Sequence, residues 1–325
     1  MLARGEWSPG SHEKWYQDIL AAEDSCSQQE FFKQNWDADL PQTRGADRRL
    51  IYTPSDCQLA PFNASTLSRR LVAANTSLLF LGDSLMQHNF AWMRCQLEAA
   101  ASVECVSHIV GRGEEGTTIS CQLVGSSSRI MLYRTNYFGQ TWTLTSLIQR
   151  FSLERHDILL LSFGAWYFDH FRNGRERLLQ HLQEQLLHAT RNWPTLMWRE
   201  PMPMHWPNQV VGNGHTPWCN ASRANNGHAA KLQRELYDAF SSKMLIVNTH
   251  DPVLPRDDEH PALHFWWPGP KVDFKHVDCT HFLPRSSVNR FVGTALFNAI
   301  QVAAMEGRAA VSERNIVEDA IIWSK

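Results

Sequence analysis

Five short apolar runs, at 78–82, 130–133, 157–163, 195–198 and 244–248, constrain the fold of this chain more than any other feature. Each is too short for a helix, and continuous apolarity in a short run is the pattern of a strand covered on both faces. Amphipathic stretches lie between and after them. Residues 85–100 place Met86, Phe90, Met93 and Leu97 at helical spacing, and residues 175–190 do so with Leu178, Leu182 and Leu186. Residues 229–241 (Leu232, Leu236, Phe240) and 287–305 (Phe291, Ala295, Leu296, Ala299) repeat the pattern. Strands alternating with helices predict an α/β fold: a three-layer α/β/α sandwich with a mostly parallel five-stranded sheet. In such sheets ligands sit beyond the carboxyl ends of the strands, so the residues just after each run are the ones to inspect.

Residues 1–75 mix Trp, Pro, Gly, Asp and Gln without sustained periodicity, which predicts an irregular N-terminal flank docked on a catalytic core spanning 76–305, with 306–325 as a tail. Residues 251–277, rich in Pro, His and Trp, read as a long functional loop leading into the last helix. A formal charge of −2 gives no drive toward phosphate backbones or anionic membrane surfaces, so nucleic acid is not expected as a partner. The seven cysteines (26, 57, 95, 105, 121, 219, 279) show no Cys-x-x-Cys pair, and neither a metal nor a resident cofactor is expected. Sequons at Asn63, Asn75 and Asn220 would mark surface positions in a secretory compartment. No apolar run reaches the ~18 residues of a membrane span, and residues 1–25 lack a signal-peptide core. Either the chain is soluble, or a targeting segment or membrane anchor lies upstream of it.

The first apolar run ends in Gly82-Asp83-Ser84-Leu85, so that a serine is delivered at the start of a helix. Free backbone N–H groups of a first helical turn can stabilise an oxyanion formed beside it. The competing explanation is helix capping, for which Asp and Ser are both preferred. Asp278-Cys279-Thr280-His281 precedes the last helix, with its Asp and His on one side of a turn. The carboxylate can then hold one ring nitrogen while the other faces a serine, which takes Asp278, His281 and Ser84 as orienting acid, general base and nucleophile. Arg199, Glu200 and His205 follow the fourth run, at the presumed mouth of the site. There Arg199 could position a carboxylate or a hydroxyl-rich ligand. Trp166, Tyr167, Trp206, Trp218, Trp266 and Trp267 also follow strands, where sugar stacking would need them, although large aromatics serve packing first.

Gly82-Asp83-Ser84-Leu85 together with Asp278-Cys279-Thr280-His281 resembles the GDSL/SGNH superfamily, specifically its PC-esterase branch, which includes the plant trichome birefringence-like polysaccharide O-acetyltransferases. The likeness spans residues 5–305 and takes in Gly5-Glu6-Trp7, the Cys26 region, Pro54 to Leu59 with Phe62, Trp92 to Cys95, Gly164-Ala165-Trp166-Tyr167, Trp198-Arg199-Glu200 with His205-Trp206, and Leu283-Pro284. It implies double displacement: Ser84 takes an acetyl group from a donor co-substrate, and a polysaccharide hydroxyl or water then accepts it. It further implies residence in the secretory pathway, in the Golgi lumen. Where plant members have an oxyanion-donating Asn this chain has Ser162. The Ser84 amide, Gly164, Ser162 and Asn136 are therefore the donor candidates. The resemblance also suggests Cys26–Cys95 and Cys219–Cys279 bridges, while Cys105 and Cys121 are close enough in sequence to close a hairpin of their own. Cys57 is left over, its usual partner lying upstream of Gly5, which raises the expectation of a missing N-terminal segment. The rival expectations are a carbohydrate or lipid esterase with the same triad and an inactive glycan-binding module.

Overall fold

The computed structural model describes residues 5–9, 14–26, 50–55, 57–106, 117–138, 142–164, 173–189, 192–203, 205–207, 219–224, 226–256, 259, 281–282 and 286–309. The flank holds more regular structure than its composition predicts. Strands β1 (Gly5–Pro9) and β2 (Leu50–Pro54) pair antiparallel, with α1 (Lys14–Cys26) between them in sequence and α2 (Ala64–Ala73) after them. The β1–β2 pairing joins segments far apart in sequence, so no local periodicity signals it. Helix α2 starts where the Asn63 side chain accepts the Thr66 N–H at 2.8 Å, a side-chain N-cap.

The core follows as β3 (Leu78–Gly82), α3 (Ser84–Ala99), β4 (Val103–Val106), β5 (Thr117–Leu123), β6 (Arg129–Arg134), α4 (Leu144–Arg150), β7 (Ile158–Ser162) and α5 (Gly174–Leu186). It continues with β8 (Thr195–Arg199), β9 (His205–Pro207), β10 (Cys219–Ala224), α6 (Asn226–Phe240), β11 (Leu245–Val247), α7 (His250–Val253) and α8 (Ser287–Ala309). The central sheet runs β11-β8-β7-β3-β6-β5-β4. The five strands from β11 to β6 are parallel and coincide with the five apolar runs.

The expected five-stranded sheet is corrected to seven strands, because β5 and β4 extend one edge as an antiparallel hairpin. Thr117–Leu123 is half-exposed along most of its length and has no continuous apolar run for a sequence reading to find. Cys105 and Cys121 lie directly opposite in this hairpin and are disulfide-bonded, as their proximity in sequence suggested. Cys95 is disulfide-bonded too and sits against α1, its Sγ 3.6 Å from the Ala22 carbonyl. The side chain of its expected partner Cys26, and the Cys219–Cys279 pair, lie outside the described residues.

Alternation along the strands divides the core. Leu78, Phe80, Leu132, Leu160 and Met197 face one cluster, shared with Met86, Phe90 and Met93 of α3 and Val288, Val292 and Leu296 of α8. Leu79, Leu81, Met131, Leu161 and Trp198 face the other, with Leu178 and Leu182 of α5 and Leu232 and Leu236 of α6. Helices therefore cover both faces of the sheet. After β3 the chain builds toward β6 on one side and toward β7, β8 and β11 on the other, so the carboxyl end of β3 is the point where strand order reverses.

Candidate active site

Ser84 stands at that reversal point as the first residue of α3. Asp83, in extended conformation, is the N-cap, and its carboxylate accepts the Leu85 N–H at 3.0 Å and also the Met86 amide. The Gln87 amide closes on the Asp83 carbonyl at 3.1 Å. Capping therefore occupies the amides of residues 85–87 and leaves the Ser84 N–H as the first-turn donor with no acceptor among the described residues. The turn itself requires glycine at 82. A side chain there would run into the Ser162 carbonyl on β7 and come within 2.8 Å of Met86 Cβ.

His281, 197 residues further on, places Nε2 2.7 Å from the Ser84 hydroxyl, and both are half-buried. This is the separation proton transfer between hydroxyl and imidazole requires. His281 is held from two directions. The His88 ring, one turn beyond Ser84 on α3, packs against it with centroids 5.1 Å apart. Its neighbour Phe282 is 1% exposed and meets the His205 ring edge-on at 6.1 Å. The fully buried carboxylate of Glu259 caps α8, accepting the Ser287 and Val288 amides at 3.0 and 2.9 Å and a 2.9 Å contact from Arg256. Asp278 lies outside the described residues, as do Trp166, Tyr167, Trp218, Trp266 and Trp267.

The carboxyl ends of the central strands align in a row. Gly82 is in register with Arg134 on β6 and Ser162 on β7, and one step past the Leu161–Trp198 pair Ser162 meets Arg199 on β8. Period-two alternation puts all four on the face shared with α3 and α8. Ser162 is 1% exposed, Gly164 is buried just beyond the strand, and Asn136 is half-buried in the turn after β6, next to Thr135, whose amide donates to the Gly82 carbonyl at 2.8 Å.

Two sequence expectations are corrected by burial. Arg199 and His205 do not line a solvent-facing mouth: they are 0% and 1% exposed. Arg199 Nη1 donates to the Glu200 carbonyl at 2.9 Å, and a His205 ring nitrogen meets the Leu254 carbonyl at 2.8 Å. Glu200, expected beside them at the surface, instead receives the Thr249 and His250 amides at the start of α7, at 3.0 and 2.9 Å.

The charges around Ser84 are unusually buried. Burial pushes the Asp83 carboxyl up, opposed first by Arg199, then by the Leu85 amide, His281 and the Met86 amide. Burial lowers Arg199 to about 10, with Asp83 and then Glu200 holding it charged. Burial likewise lowers Arg134, again opposed by Asp83. Glu200 is pushed up to about 7 by burial, against the pull of His250. Sequence reasoning missed Asp83 as a charge centre and missed His88. The position of His88 one helical turn after Ser84 is the signal that would have found it.

No protein-family model and no curated protein matches this chain. Among the described residues no group of His, Cys, Asp and Glu is arranged to hold a metal ion, and no helix is long and apolar enough to cross a membrane.

Proposed function

We propose that this protein is a serine acyltransferase with an SGNH-like three-layer fold of the PC-esterase type, acting as an O-acetyltransferase on hydroxyls of a secreted or cell-wall polysaccharide. The observation that carries the reading is the 2.7 Å contact between His281 Nε2 and Ser84 Oγ at the strand-order reversal of a parallel sheet. A hydroxyl capping a helix needs no imidazole, and a packing histidine needs no hydroxyl, so the pair is better explained by nucleophile activation.

In the first half-reaction His281 takes the Ser84 proton as Oγ attacks the acyl carbonyl of the donor. The tetrahedral oxyanion is held by the Ser84 N–H, and the imidazolium returns its proton to the leaving group as the carbonyl–leaving-group bond breaks. In the second, a sugar hydroxyl gives its proton to His281 and attacks the acyl-serine, and the proton returns to Ser84. Asp278, three residues before His281, is assigned to the other ring nitrogen, fixing the tautomer. Gly164, Ser162 and Asn136, placed at or just beyond the strand ends beside Ser84, are further oxyanion-donor candidates. A secretory location is supported by the Cys105–Cys121 disulfide and by exposure of Asn63 and Asn75, two of the sequon asparagines.

The test is acyl turnover by purified protein supplied with an acetylated donor and oligosaccharides, with S84A alongside. Acetylated sugar from wild type, and a loss of roughly three orders of magnitude or more in S84A with the fold intact, is the expected result. Donor hydrolysis without acetylated sugar would reassign the enzyme as an esterase. Turnover surviving in S84A would refute the nucleophile.

A further inference from the structure

Arg199 is the least explained group among the described residues. It is 0% exposed, its Nη1 is used by the Glu200 carbonyl, and its Nε and Nη2 meet no hydrogen-bond acceptor among those residues. A buried guanidinium with two unmet donors costs several kcal/mol unless a nearby charge compensates it. Buried unsatisfied groups of this kind concentrate where function holds them.

Arg199 lies on the same sheet face as Gly82 and Ser162 and in the same cross-strand row, two strands from the turn that carries Asp83, and no direct hydrogen bond or ion pair joins the two side chains. Arg199 is the foremost charge opposing the burial of the Asp83 carboxyl, and Asp83 the foremost one holding Arg199 charged. The other groups acting on Asp83 are Arg134 from β6, His281 from the segment before α8, and the Leu85 and Met86 amides of α3. Arg134 and His281 are half-buried, whereas Arg199 is sealed from water, which leaves its interaction with Asp83 the least screened.

We propose that Arg199 is a positioning residue for Ser84: its sealed guanidinium is the counter-ion of the Asp83 carboxylate and, through that cap, fixes the first turn of α3 with the Ser84 hydroxyl and amide against His281. The proposal rests on Ser84 being a nucleophile, and it replaces the direct ligand contact expected of Arg199 from sequence. A charged carboxylate at position 83 accepts two amides at once and leaves the Ser84 N–H as the first-turn donor with no acceptor among the described residues. Without its counter-ion the buried carboxylate is either left uncompensated or takes a proton onto an oxygen the amides use, and the turn loosens either way, whereas an Asn amide keeps its oxygen free to accept. Arg199 shifts that balance toward the charged form without touching substrate.

Two readouts test this without a glycan substrate: carboxyl 13C NMR titration of Asp83, and the rate at which a fluorophosphonate labels Ser84 across pH, each in wild type, R199K, R199M, D83N and D83N/R199M. In R199M the Asp83 titration moves to higher pH, and labelling near neutral pH slows by about tenfold or more, the scale expected of a misplaced nucleophile. R199K, which retains the cation, keeps most of both. Asn is itself a good N-cap, so D83N/R199M, with both charges gone, recovers most of the labelling lost in R199M. A purely structural Arg199 would give no such rescue. An Asp83 titration unmoved in R199M, or a double variant as slow as R199M, overturns the proposal. Should R199M fail to fold, R199K against D83N/R199M carries the comparison, with a slow, unrescued double variant again overturning it. Ready labelling of Ser84 without acetyl transfer to any sugar would sink the transferase reading and leave this one standing.

Discussion

At position 83 and its neighbours, single side chains serve as caps and as charges at once, and burial decides which role dominates. Glu200 is the clearest case for measurement. It is 4% exposed, accepts two amides at the start of α7, and is pushed up to about 7 from 4.5. The folded protein binds this proton more tightly than the unfolded chain does. The carboxyl's contribution to stability is therefore full below the unfolded value of 4.5 and is lost as pH rises toward about 7, up to roughly 3 kcal/mol in all. Urea denaturation from pH 4.5 to 8 should show wild type losing stability relative to E200Q over that interval. Parallel pH curves for the two proteins would show that the carboxyl does not titrate in this range.

The elements of the site are joined at close quarters, and the β3–α3 turn leaves no room for a side chain. G82A must push a Cβ against the Ser162 carbonyl and toward Met86, and both neighbours belong to packed elements. We expect a loss of about 1–3 kcal/mol, the usual range for overpacking, measured as a lower urea midpoint. A fall in Ser84 labelling should accompany it, because the displaced atoms carry the Ser84 hydroxyl. Retention of wild-type stability would mean that β7 can retreat at no cost. The strands most legible in the sequence are those buried on both faces, whose apolar runs repeat without interruption. Edge strand β4 and its neighbour β5 escaped notice because half-exposed positions mix polar and apolar residues, and β1–β2 because its partners are distant in sequence.

Across the whole molecule, the flank reaches the two helices that frame the site. From α1, Glu23 accepts the Trp92 indole N–H of α3 at 2.8 Å and pairs with Arg290 of α8 at 2.9 Å, with all three side chains buried. Since α3 begins at Ser84 and α8 follows His281, this cluster ties together the two helices that flank the Ser84–His281 contact. R290M strands a buried carboxylate and should cost about 3–5 kcal/mol, while E23Q/R290M should cost clearly less because no lone charge remains. Additive losses in the double-mutant cycle would show that the pair is not coupled.

The sequence by itself determined the five parallel strands and the helices that cover them, because burial periodicity is a local property, and it singled out Ser84 and His281, which the fold brings to 2.7 Å. It could not determine that Arg199, His205 and Glu200 are sealed from solvent, that His88 packs against the His281 ring, or that a flank of mixed composition joins α3 to α8. Those facts depend on which surfaces meet once the chain is closed: exposure, electrostatic coupling and cross-strand register are properties of neighbours in space, and only the tertiary structure supplies them.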